Sequence, residues 1–600
     1  GSQMTSTIYV RGLGSRIDQA AVGMNLDNVP VLNKETYDFE LIDIDSIEVV
    51  RGPQALMYGR NTMDGIINIH SLSPMKYQGL RATAELSSGL TERFTAGYYT
   101  RIAPKLAMSV SGGLSHCDGF WINDYNGKNT GRTFETRGRW RTIWQPLTNL
   151  TIDNVATVDY ARQSGYPYEF IETGRIAYND TCFYRRTTFT DGLLVSALLG
   201  KVQLNSVTSF QYVNDNLTLD QDFTPDDYFT LTQRRHEWAI TQDITLSGHH
   251  GVYSWLAGIS GFYRRTGMTA PVDFKKFGIE ELILSVIPPE APIAGWAEDS
   301  FILATDLVAR NRSIALYHQS SVNLDRWILS AGLRFDLEQA MLNYLSETHT
   351  VVFISTPRGP VRGNIDMIIP DRLRQTFREF SPKFTVSYNL PAAGNTVYAT
   401  VSRGYKAGGY NTQMFSDILK EEMKSTWGEG SNYERADIIS YRPERSMNYE
   451  IGYNGSTTDK RLSGSLTLFW MDIRDQQLTA FPPGTNTGRI MTNAGRTRSR
   501  GLETSISYRP LDELSLSASY GFTDARFRHY VNGTEKLDGK RVPYAPAHTL
   551  FLSATWRQNL GLDWFKTIDF NANLRGIGPI YWDESNTVKQ NLYTLFGARR

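Results

Sequence analysis

Residues 47–69 read IEVVRGPQALMYGRNTMDGIINI, and this stretch decides how the rest of the chain is interpreted. It begins and ends with short β-branched runs, residues 47–50 and 66–69, which are too short for helices and are typical of strands. Between these runs, glycine and proline require the backbone to turn at least twice. The stretch therefore predicts a compact strand–loop–strand unit. A phosphate-binding loop is excluded, because the glycines lack the required spacing and no amphipathic helix follows.

The composition of the whole chain excludes several classes of protein. The 600 residues include 62 basic and 62 acidic side chains, so net charge gives no reason to expect a nucleic-acid partner. Hydrophobic residues make up 40% of the chain, mean hydropathy is −0.36, and no apolar run is long enough for a membrane-spanning helix. A transmembrane β-barrel remains compatible, because only every second residue of its strands is apolar. The 50 glycines and 12% aromatic residues fit this class.

A period of two from residue 80 onward predicts an all-β protein. Between residues 106 and 115 an apolar face alternates with a small, polar face, and the pattern returns at 327–338, 514–523 and 568–575. One face of these strands carries charged residues: Arg334, Asp336, Glu338, Asp569 and Arg575. A soluble β-sandwich alternates in the same way, so the length of the strands and the asymmetry of the loops must separate the two classes.

Strand length and loop layout both favour the membrane barrel. The strands are about ten residues long or longer, which is the length needed to cross a bilayer at a tilt. Tight turns alternate with long segments, as in bacterial outer-membrane barrels with short periplasmic turns and long extracellular loops. The long segments are predicted at 116–133, 163–183, 214–232, 267–309, 342–372, 408–443, 478–495, 527–545 and 578–592. This layout gives about nineteen strands and the start of another at 592–600.

Several stretches resemble the TonB-dependent outer-membrane receptor family. Residues 47–69, with 8–14 and 25–30 upstream, resemble the plug domain of that family, although Asp64 and Leu56 depart from its usual pattern. Further along, 381–383, 401–411, 449–452, 500–503 and 542–546 resemble the barrels of the siderophore-receptor-like branch. The resemblance implies an all-β transmembrane fold, an antiparallel barrel of about 22 strands with a plug inside its lumen. It places the plug at 1–76 and the barrel at 77–600. We expect both to be incomplete, since no signal peptide, TonB box or first half of a plug precedes residue 1 and the last strands are missing.

The resemblance also implies a function. We expect TonB-dependent active import of a scarce, bulky nutrient, with a ferric siderophore as the first candidate and haem, cobalamin or a glycan as alternatives. The implied partners are a small-molecule ligand, outer-membrane lipid and the TonB–ExbB–ExbD complex, reached through the missing N-terminal segment. No nucleic acid, metal site or cofactor is expected, and iron enters only within a bound chelate.

Candidate ligand contacts lie in the plug loops and outer loops that are predicted to face outward. Arg16 and Lys34 suit an anionic chelate, and Tyr37 suits an aromatic one. The outer loops add Trp121 and Tyr125 beside Phe120, and Tyr168 between Tyr166 and Phe170. Aromatic residues at loop bases also serve as membrane-interface anchors, so both roles stay open for these residues.

Other polar residues are expected to hold the plug. Glu48, Arg51 and Arg60 are candidates for contacts with the barrel wall, or for contacts within the plug itself. Cys117 and Cys182 both fall at the predicted extracellular rim, where a disulfide is chemically possible; buried free thiols are the alternative. The apolar runs 282–287 and 291–296 are expected to fold over the barrel mouth.

An enzyme has little support in the sequence. No catalytic motif of the G-x-S-x-G or H-E-x-x-H type is present, and the adjacent pair His249 and His250 falls in a predicted tight turn without a third metal ligand. A barrel enzyme assembled from distant residues and a surface adhesin or phage-docking protein remain as alternative classes.

Overall fold

The computed structural model describes residues 7–15, 19–169, 173–220, 222–286, 292–391, 394–412, 418, 436, 439–480, 490–532, 535–561 and 566–599. Strands form two bodies, a small mixed sheet followed by a large antiparallel barrel. Among the described residues, no helix combines the length and the apolar composition needed to cross a membrane.

The small sheet is built from four strands: β1 (Val22–Leu26), β2 (Val29–Pro30), β3 (Ile44–Arg51) and β4 (Gly65–Ser71). Their order is β2-β1-β4-β3, in which β1 and β4 are parallel and the other neighbours antiparallel. The predicted strand–loop–strand unit is therefore confirmed as β3 and β4, with a single helical turn at Ala55–Tyr58 between them. Met24, Leu26 and Ile69 form the buried core of this sheet.

Gly65 permits the close pairing of β3 and β4. Its φ of 144° is one that other residues rarely adopt, and an added Cβ would lie 2.3 Å from the backbone oxygen of Val50. Any side chain here would therefore strain the backbone and push the two strands apart.

Twenty long strands form the barrel in the described part of the chain, and each pairs antiparallel with its neighbour in the sequence. They are Gly79–Ser87, Thr91–Ala103, Leu106–Cys117, Arg132–Leu147, Leu150–Ser164, Phe183–Leu199, Val202–Asp220, Phe229–His250, Tyr253–Thr269, Ser300–Leu324, Trp327–Ile354, Val361–Asn389, Thr396–Lys406, Glu444–Ser456, Leu462–Ala480, Ile490–Tyr508, Leu514–His529, His548–Asn559, Thr567–Gly578 and Tyr593–Arg599. We name the two ends of the barrel by their connections, the turn end and the loop end.

The two faces of the strands follow the predicted alternation. Along Trp327–Ile354, the side chains of Leu333 and Phe335 are exposed on the outer surface. On the inner face, Arg334, Asp336 and Glu338 are buried, at 5%, 2% and 1% exposure. The charged face therefore points into the lumen, where the small sheet lies.

Two predicted loops are wrong. Residues 214–232 and 342–372 belong largely to strands, which continue to Asp220, restart at Phe229, and run on to Ile354 and from Val361. The hairpin at 342–372 keeps an unbroken register, from Leu342 opposite Leu373 to Ile354 opposite Val361. Cross-strand pairing satisfies the backbone N–H and C=O groups of these strands even where they extend beyond the thickness of the membrane. The number of residues needed to cross the membrane therefore does not predict where the strands end.

The apolar loop at 276–296 packs against the barrel wall. Its helical turns Lys276–Gly278, Ile279–Ile283 and Leu284–Val286 place Ile283 in a buried cluster with Leu303 and Leu342. The strand Ile293–Trp296 pairs with the end of Trp327–Ile354 and packs against the same cluster. The described parts of 282–287 and 291–296 thus pack against the inner side of the wall, and their expected position over the barrel mouth stays a prediction. Residues 287–291 lie outside the described residues.

Of the two alternatives for Cys117 and Cys182, the structure has free thiols and no disulfide. Cys117 lies opposite Thr133, Thr133 opposite Gln163, and Gln163 opposite Tyr184, two residues beyond Cys182. Three strand spacings separate the two positions by about 14 Å, twice the Cα separation that a disulfide tolerates. The Cys182 Sγ instead accepts a hydrogen bond from the backbone N–H of Asp220 at 3.2 Å.

Candidate functional site

Charged contacts join the small sheet and its loops to the inner wall of the barrel. One of these contacts begins at a tight turn, in which Val10 and Leu13 exchange backbone hydrogen bonds of 2.9 and 3.0 Å. Arg11 and Gly12 form the corner with φ values of 54° and 84°. An added Cβ on Gly12 would lie 2.5 Å from the Cβ of Ala525, so the glycine lets the turn touch the wall.

Arg11 holds two carboxylates of the barrel at once. Its guanidinium donates to Glu450 at 2.7 Å and to both oxygens of Glu503 at 3.2 and 2.8 Å, and it lies 4.5 Å above the ring of Phe469. The side chain is 1% exposed. Burial opposes its charge, but Glu503 and Glu450 outweigh burial and raise the pKa of Arg11. The arrangement is a bidentate, charge-assisted clamp between the two bodies.

A second contact is made by Arg60, in the loop between β3 and β4. It pairs with the buried Glu338 of the barrel and with Gln19, and its guanidinium lies 4.9 Å from the ring of Phe262. The neighbouring Gly59 lies against Arg334, whose guanidinium donates to Asp336 at 2.9 Å. The polar inner face predicted from the sequence is therefore the surface that this loop contacts.

The loop at 33–38 is held by barrel arginines near the loop end. Arg186 donates to Asp38 at 2.8 Å and to the backbone oxygen of Glu35. Arg235 pairs with the Glu35 carboxylate and with Asp215. Burial opposes the Glu35 charge, but Arg235 outweighs it and holds the pKa of Glu35 below its usual range.

Near the turn end, the barrel residue Arg141 holds the small sheet, as Arg186 and Arg235 hold its loop near the loop end. It donates to Asp27 at 3.1 Å and to the hydroxyl of Ser71 at 2.9 Å, while Asp153 of the next strand accepts from it at 2.8 Å. Asp27 in turn accepts from Ser71. Charged contacts therefore hold the small sheet at both ends and in the middle of the lumen.

One buried carboxyl in this interface has no hydrogen-bond partner. Asp64 is 0% exposed and neither of its oxygens is hydrogen-bonded. The ion pair of Lys406 and Glu444, 2.9 Å apart and buried, belongs to the adjacent wall. Burial and the charge of Glu444 raise the pKa of Asp64, against the opposing charges of Lys406 and Arg11.

The three residues predicted to hold the plug, Glu48, Arg51 and Arg60, differ in how closely they contact the barrel. Arg60 contacts the barrel as described above. Arg51 lies 3.9 Å from Glu503 and is 48% exposed, so it is peripheral to the Arg11 clamp. Glu48 is exposed on β3, and among the described residues no ion pair or hydrogen bond joins it to the barrel, so of its two predicted roles the contact with the barrel wall is not formed. The period-two pattern of β3 does not reveal that its residues 47–51 are all exposed.

Two of the predicted ligand contacts are not exposed. Lys34 is 4% exposed, in the short helical turn Lys34–Thr36 held between the plug and the wall. Tyr37 packs against the core of the small sheet, and its hydroxyl donates to the backbone oxygen of Val22 at 3.3 Å. Lys34 is therefore buried and Tyr37 half-buried, in a loop that lies near the loop end of the barrel. Their role in ligand contact stays a prediction. Arg16 lies outside the described residues.

The outer-loop aromatic residues fall into two groups. Trp121 and Tyr125, 53% and 55% exposed, lie on a small hairpin formed by Trp121–Asn123 and Lys128–Thr130. Tyr168 is stacked on Tyr166 of its own loop and lies edge-on to Phe223 of the next outer loop. Phe170 lies outside the described residues. Trp121 and Tyr125 are thus exposed and Tyr168 is half-buried, and ligand contact stays a prediction for all three.

The sequence analysis missed most of the charged contacts. Arg11 stands in a stretch that was recognised for its resemblance, but nothing local marks Glu450 and Glu503 as its partners. Asp27, Arg141, Arg186 and Arg235 were missed for the same reason. The charged inner faces of the strands were the one indication in the sequence. They predict a wall that binds the plug through charges, but they do not predict which residues pair. In the described part of the chain, no three His, Cys, Asp or Glu side chains are close enough to hold a metal ion.

The architecture defines a class of protein: an antiparallel barrel whose lumen holds a separate domain through ion pairs. Residues 78–599 match the family described as TonB dependent receptor-like, beta-barrel, and residues 1–66 match the TonB-dependent Receptor Plug Domain. The chain therefore belongs to the TonB-dependent receptor family of the bacterial outer membrane, and the small sheet with its loops is the plug. With this family, the prediction stands that the turn end faces the periplasm and the loop end faces the outside. The predicted boundary at 76/77 falls in the connection between β4 and the first barrel strand, and it stays a prediction.

Known proteins of similar sequence and structure cover the whole chain. The pesticin receptor of Yersinia enterocolitica (serotype O:8 / biotype 1B) is 22% identical over 100% of this chain and 80% of its own length. The ferric yersiniabactin uptake receptor FyuA of Yersinia pestis has a TM-score of 0.77, at 20% identity, over 100% of this chain and 84% of that one. The siderophore receptor PiuA of Acinetobacter baumannii has a TM-score of 0.72, at 14% identity, over 100% and 85% of the two chains.

Proposed function

We propose that this protein imports a ferric siderophore across the outer membrane, using energy transmitted by the TonB–ExbB–ExbD complex. The Arg11 clamp carries the proposal. Its contacts to Glu450 and Glu503 are hydrogen-bonded ion pairs, and water can replace the partners of each group once the plug moves. If the interface were apolar, the same movement would expose apolar surface to water, which costs free energy in proportion to the area exposed. A charge-paired interface thus suits a domain that must close the lumen and later yield.

The relatives support the proposed class of cargo. Receptors that are similar over this whole chain are described as a pesticin receptor, a ferric yersiniabactin uptake receptor and a siderophore receptor. We infer a ferric chelate for this chain, with iron as part of the cargo. Trp121 and Tyr125 are the described candidates for first contact, because both rings are exposed on an outer hairpin.

The proposal is tested by labelled-iron uptake in an iron-limited strain that carries or lacks the gene. The strain is offered a panel of ferric siderophores, haem and cobalamin, with and without functional TonB. We expect uptake of one ferric chelate to require both the gene and TonB. If only haem or cobalamin uptake depends on the gene, the cargo assignment is wrong while TonB-dependent import survives.

The hairpin aromatics are tested in the same strain. The double substitution W121A/Y125A is expected to raise the substrate concentration needed for half-maximal uptake and to leave the amount of receptor unchanged. Trp327→Ala, at the turn end and 49% exposed, removes a comparable ring from the opposite side of the membrane and serves as the control. Equal effects of the two variants would exclude the hairpin from ligand contact.

A further inference from the structure

One outer loop is closed on itself where it leaves the barrel wall after Lys406 and returns to it at Glu444. Residues 409–410 of this loop pair antiparallel with residues 440–441. We name its two described ends, residues 406–411 and 439–444, the loop neck. The pairing between these ends closes the loop at its base.

A buried ion pair and one glutamine hold the loop neck together. Lys406 and Glu444 lie directly opposite each other, 2.9 Å apart, with side chains that are 0% and 2% exposed. On the neighbouring strand, the side chain of Gln477 donates to the backbone oxygens of Ala407 and Arg442, each at 2.9 Å. The backbone N–H of Gln477 donates to the Glu444 carboxylate at 3.0 Å. Both ends of the neck are therefore tied to the same strand, and Glu444 is part of that tie.

The plug contacts the loop neck through the loop that precedes β4. The side-chain oxygen of Asn61 accepts a hydrogen bond from the backbone N–H of Ala407 at 3.3 Å. Three residues further on, Asp64 is 0% exposed, and neither of its carboxyl oxygens has a hydrogen-bond partner among the described residues. Asp64 departs from the usual pattern of the plug, so the plug fold itself does not require a carboxyl group at this position.

The charged groups around Asp64 are already paired with other residues. Lys406 and Glu444 face it from the neck, and Arg11, held by the two carboxylates of the clamp, faces it from the plug. An ionised Asp64 would therefore be a buried charge without a hydrogen bond, beside the like charge of Glu444. Burial and Glu444 accordingly raise the pKa of Asp64, against the opposing charges of Lys406 and Arg11. Asp64 in the docked plug is thus favoured in its protonated, neutral form.

Lys406 is able to pair with a second carboxylate. Apart from its ion pair with Glu444, its ammonium group has no hydrogen-bond partner among the described residues. An ammonium group carries three donors, so one carboxylate does not exhaust its capacity. Once ionised, Asp64 would therefore compete with Glu444 for the same buried cation.

We propose that Asp64, Lys406 and Glu444 form a proton-controlled latch between the plug and the loop neck. While Asp64 holds its proton, Lys406 stays with Glu444 and the neck stays closed on the plug. When Asp64 gives its proton to water, its carboxylate draws Lys406 away from Glu444, which loosens the neck and the contact of the plug with it. A lower pH therefore keeps the latch closed and a higher pH releases it. The inference rests on these contacts and not on the identity of the cargo.

Hydrogen exchange of the purified full chain in detergent micelles tests the latch. The reporters are the backbone N–H groups of Ala407 and Asn411, which donate to Asn61 and Ile439 in the closed neck. Their protection is expressed at each pH relative to the intrinsic exchange rate at that pH. One released proton changes an opening equilibrium by up to about tenfold per pH unit, so protection is expected to fall at least about tenfold between about pH 5 and pH 7. Asp64→Asn is expected to reduce this change to less than about twofold.

Asp475→Asn is the matched control. Asp475 is another carboxyl group beside the neck, but it pairs with the exposed Arg442 at 2.7 Å and is itself 29% exposed. This variant is expected to keep the full pH dependence of the unaltered protein. Equal pH dependence in Asp64→Asn and Asp475→Asn would overturn the proposal, whether both variants keep it or both lose it.

Glu444→Gln tests the competition for Lys406 with Asp64 left in place. The glutamine oxygen is still able to accept from the backbone N–H of Gln477, but it carries no charge to hold the lysine. Lys406 then stabilises an ionised Asp64 in the docked plug, so the fall in protection between about pH 5 and pH 7 is expected to disappear. A fall of the same size in Glu444→Gln would show that Glu444 is no competitor and would overturn the latch. Neither cargo nor TonB enters these readouts, so a wrong cargo assignment leaves them interpretable.

Discussion

At the scale of single residues, Arg11 joins the plug to two carboxylates of the barrel at once. Arg11→Ala leaves the carboxylates of Glu450 and Glu503 facing the plug without their shared cation. Breaking a buried ion pair from one side typically costs about 3–5 kcal/mol. We expect a loss of that order in the protection of β1 and β4 amides, measured by native-state hydrogen exchange.

Arg51→Ala is the matched control for the Arg11 substitution. Arg51 lies at 3.9 Å from the same Glu503 but is 48% exposed, so its contribution is expected to stay below about 1 kcal/mol. Equal losses of protection in the two variants would contradict the assignment of the clamp to Arg11.

Asp64 makes the attachment of the plug sensitive to pH. Since burial and Glu444 raise its pKa, the folded plug binds the Asp64 proton more tightly than the unfolded chain does. The free energy of unfolding of the plug is therefore expected to fall as the pH rises above about 4, the ordinary carboxyl range, and to level off above the raised pKa. Asp64→Asn should flatten this part of the profile and stabilise the plug at neutral pH. A steeper or unchanged profile in urea titrations of D64N would refute this account.

At the scale of elements, the β3–β4 hairpin depends on the absence of a side chain at Gly65. Gly65→Ala places a Cβ 2.3 Å from the Val50 oxygen and retains a strained φ of 144°. We expect destabilisation of the plug by about 1–3 kcal/mol, seen as a lower urea midpoint. Gly359→Ala is the control, because Gly359 also has a positive φ, 106°, but nothing lies within 4 Å of an added Cβ. The hairpin account fails if both substitutions leave the midpoint of the plug unchanged.

At the scale of the whole molecule, the plug and the barrel differ in what stabilises them. The plug has four short strands and a small core, whereas the barrel has strands of up to 29 residues paired along their length. Unfolding in urea is therefore expected to show two transitions, with the plug amides losing protection before the barrel strands. Amide protection follows the unfolding of the plug, and the heat-dependent change in electrophoretic migration follows the unfolding of the barrel. A single coincident transition would mean that the two bodies unfold together.

The sequence predicted the local features of this architecture well. Alternating faces, tight turns and the strand–loop–strand unit at 47–69 all arise from residues close together in the chain, where the side-chain period and the glycines determine the geometry. Arg334, Asp336 and Glu338 were placed correctly in the lumen because the same alternation assigns their side. Loop ends were predicted less well, since strands continue as far as a paired neighbour satisfies their backbone, and that neighbour is not a local property.

What the sequence alone determined is the class of barrel, the order of its strands and, in the stretches that alternate, the face on which the side chains lie. Only the tertiary structure decided which charges meet: Arg11 finds partners 439 and 492 residues away. The tertiary structure also decided that Lys34 is buried against the wall. It likewise decided that two strands separate Cys117 from Cys182. The physical reason is that periodicity records the side of a strand, whereas pairing in the lumen depends on the register of strands around the closed wall and on the plug docked within it.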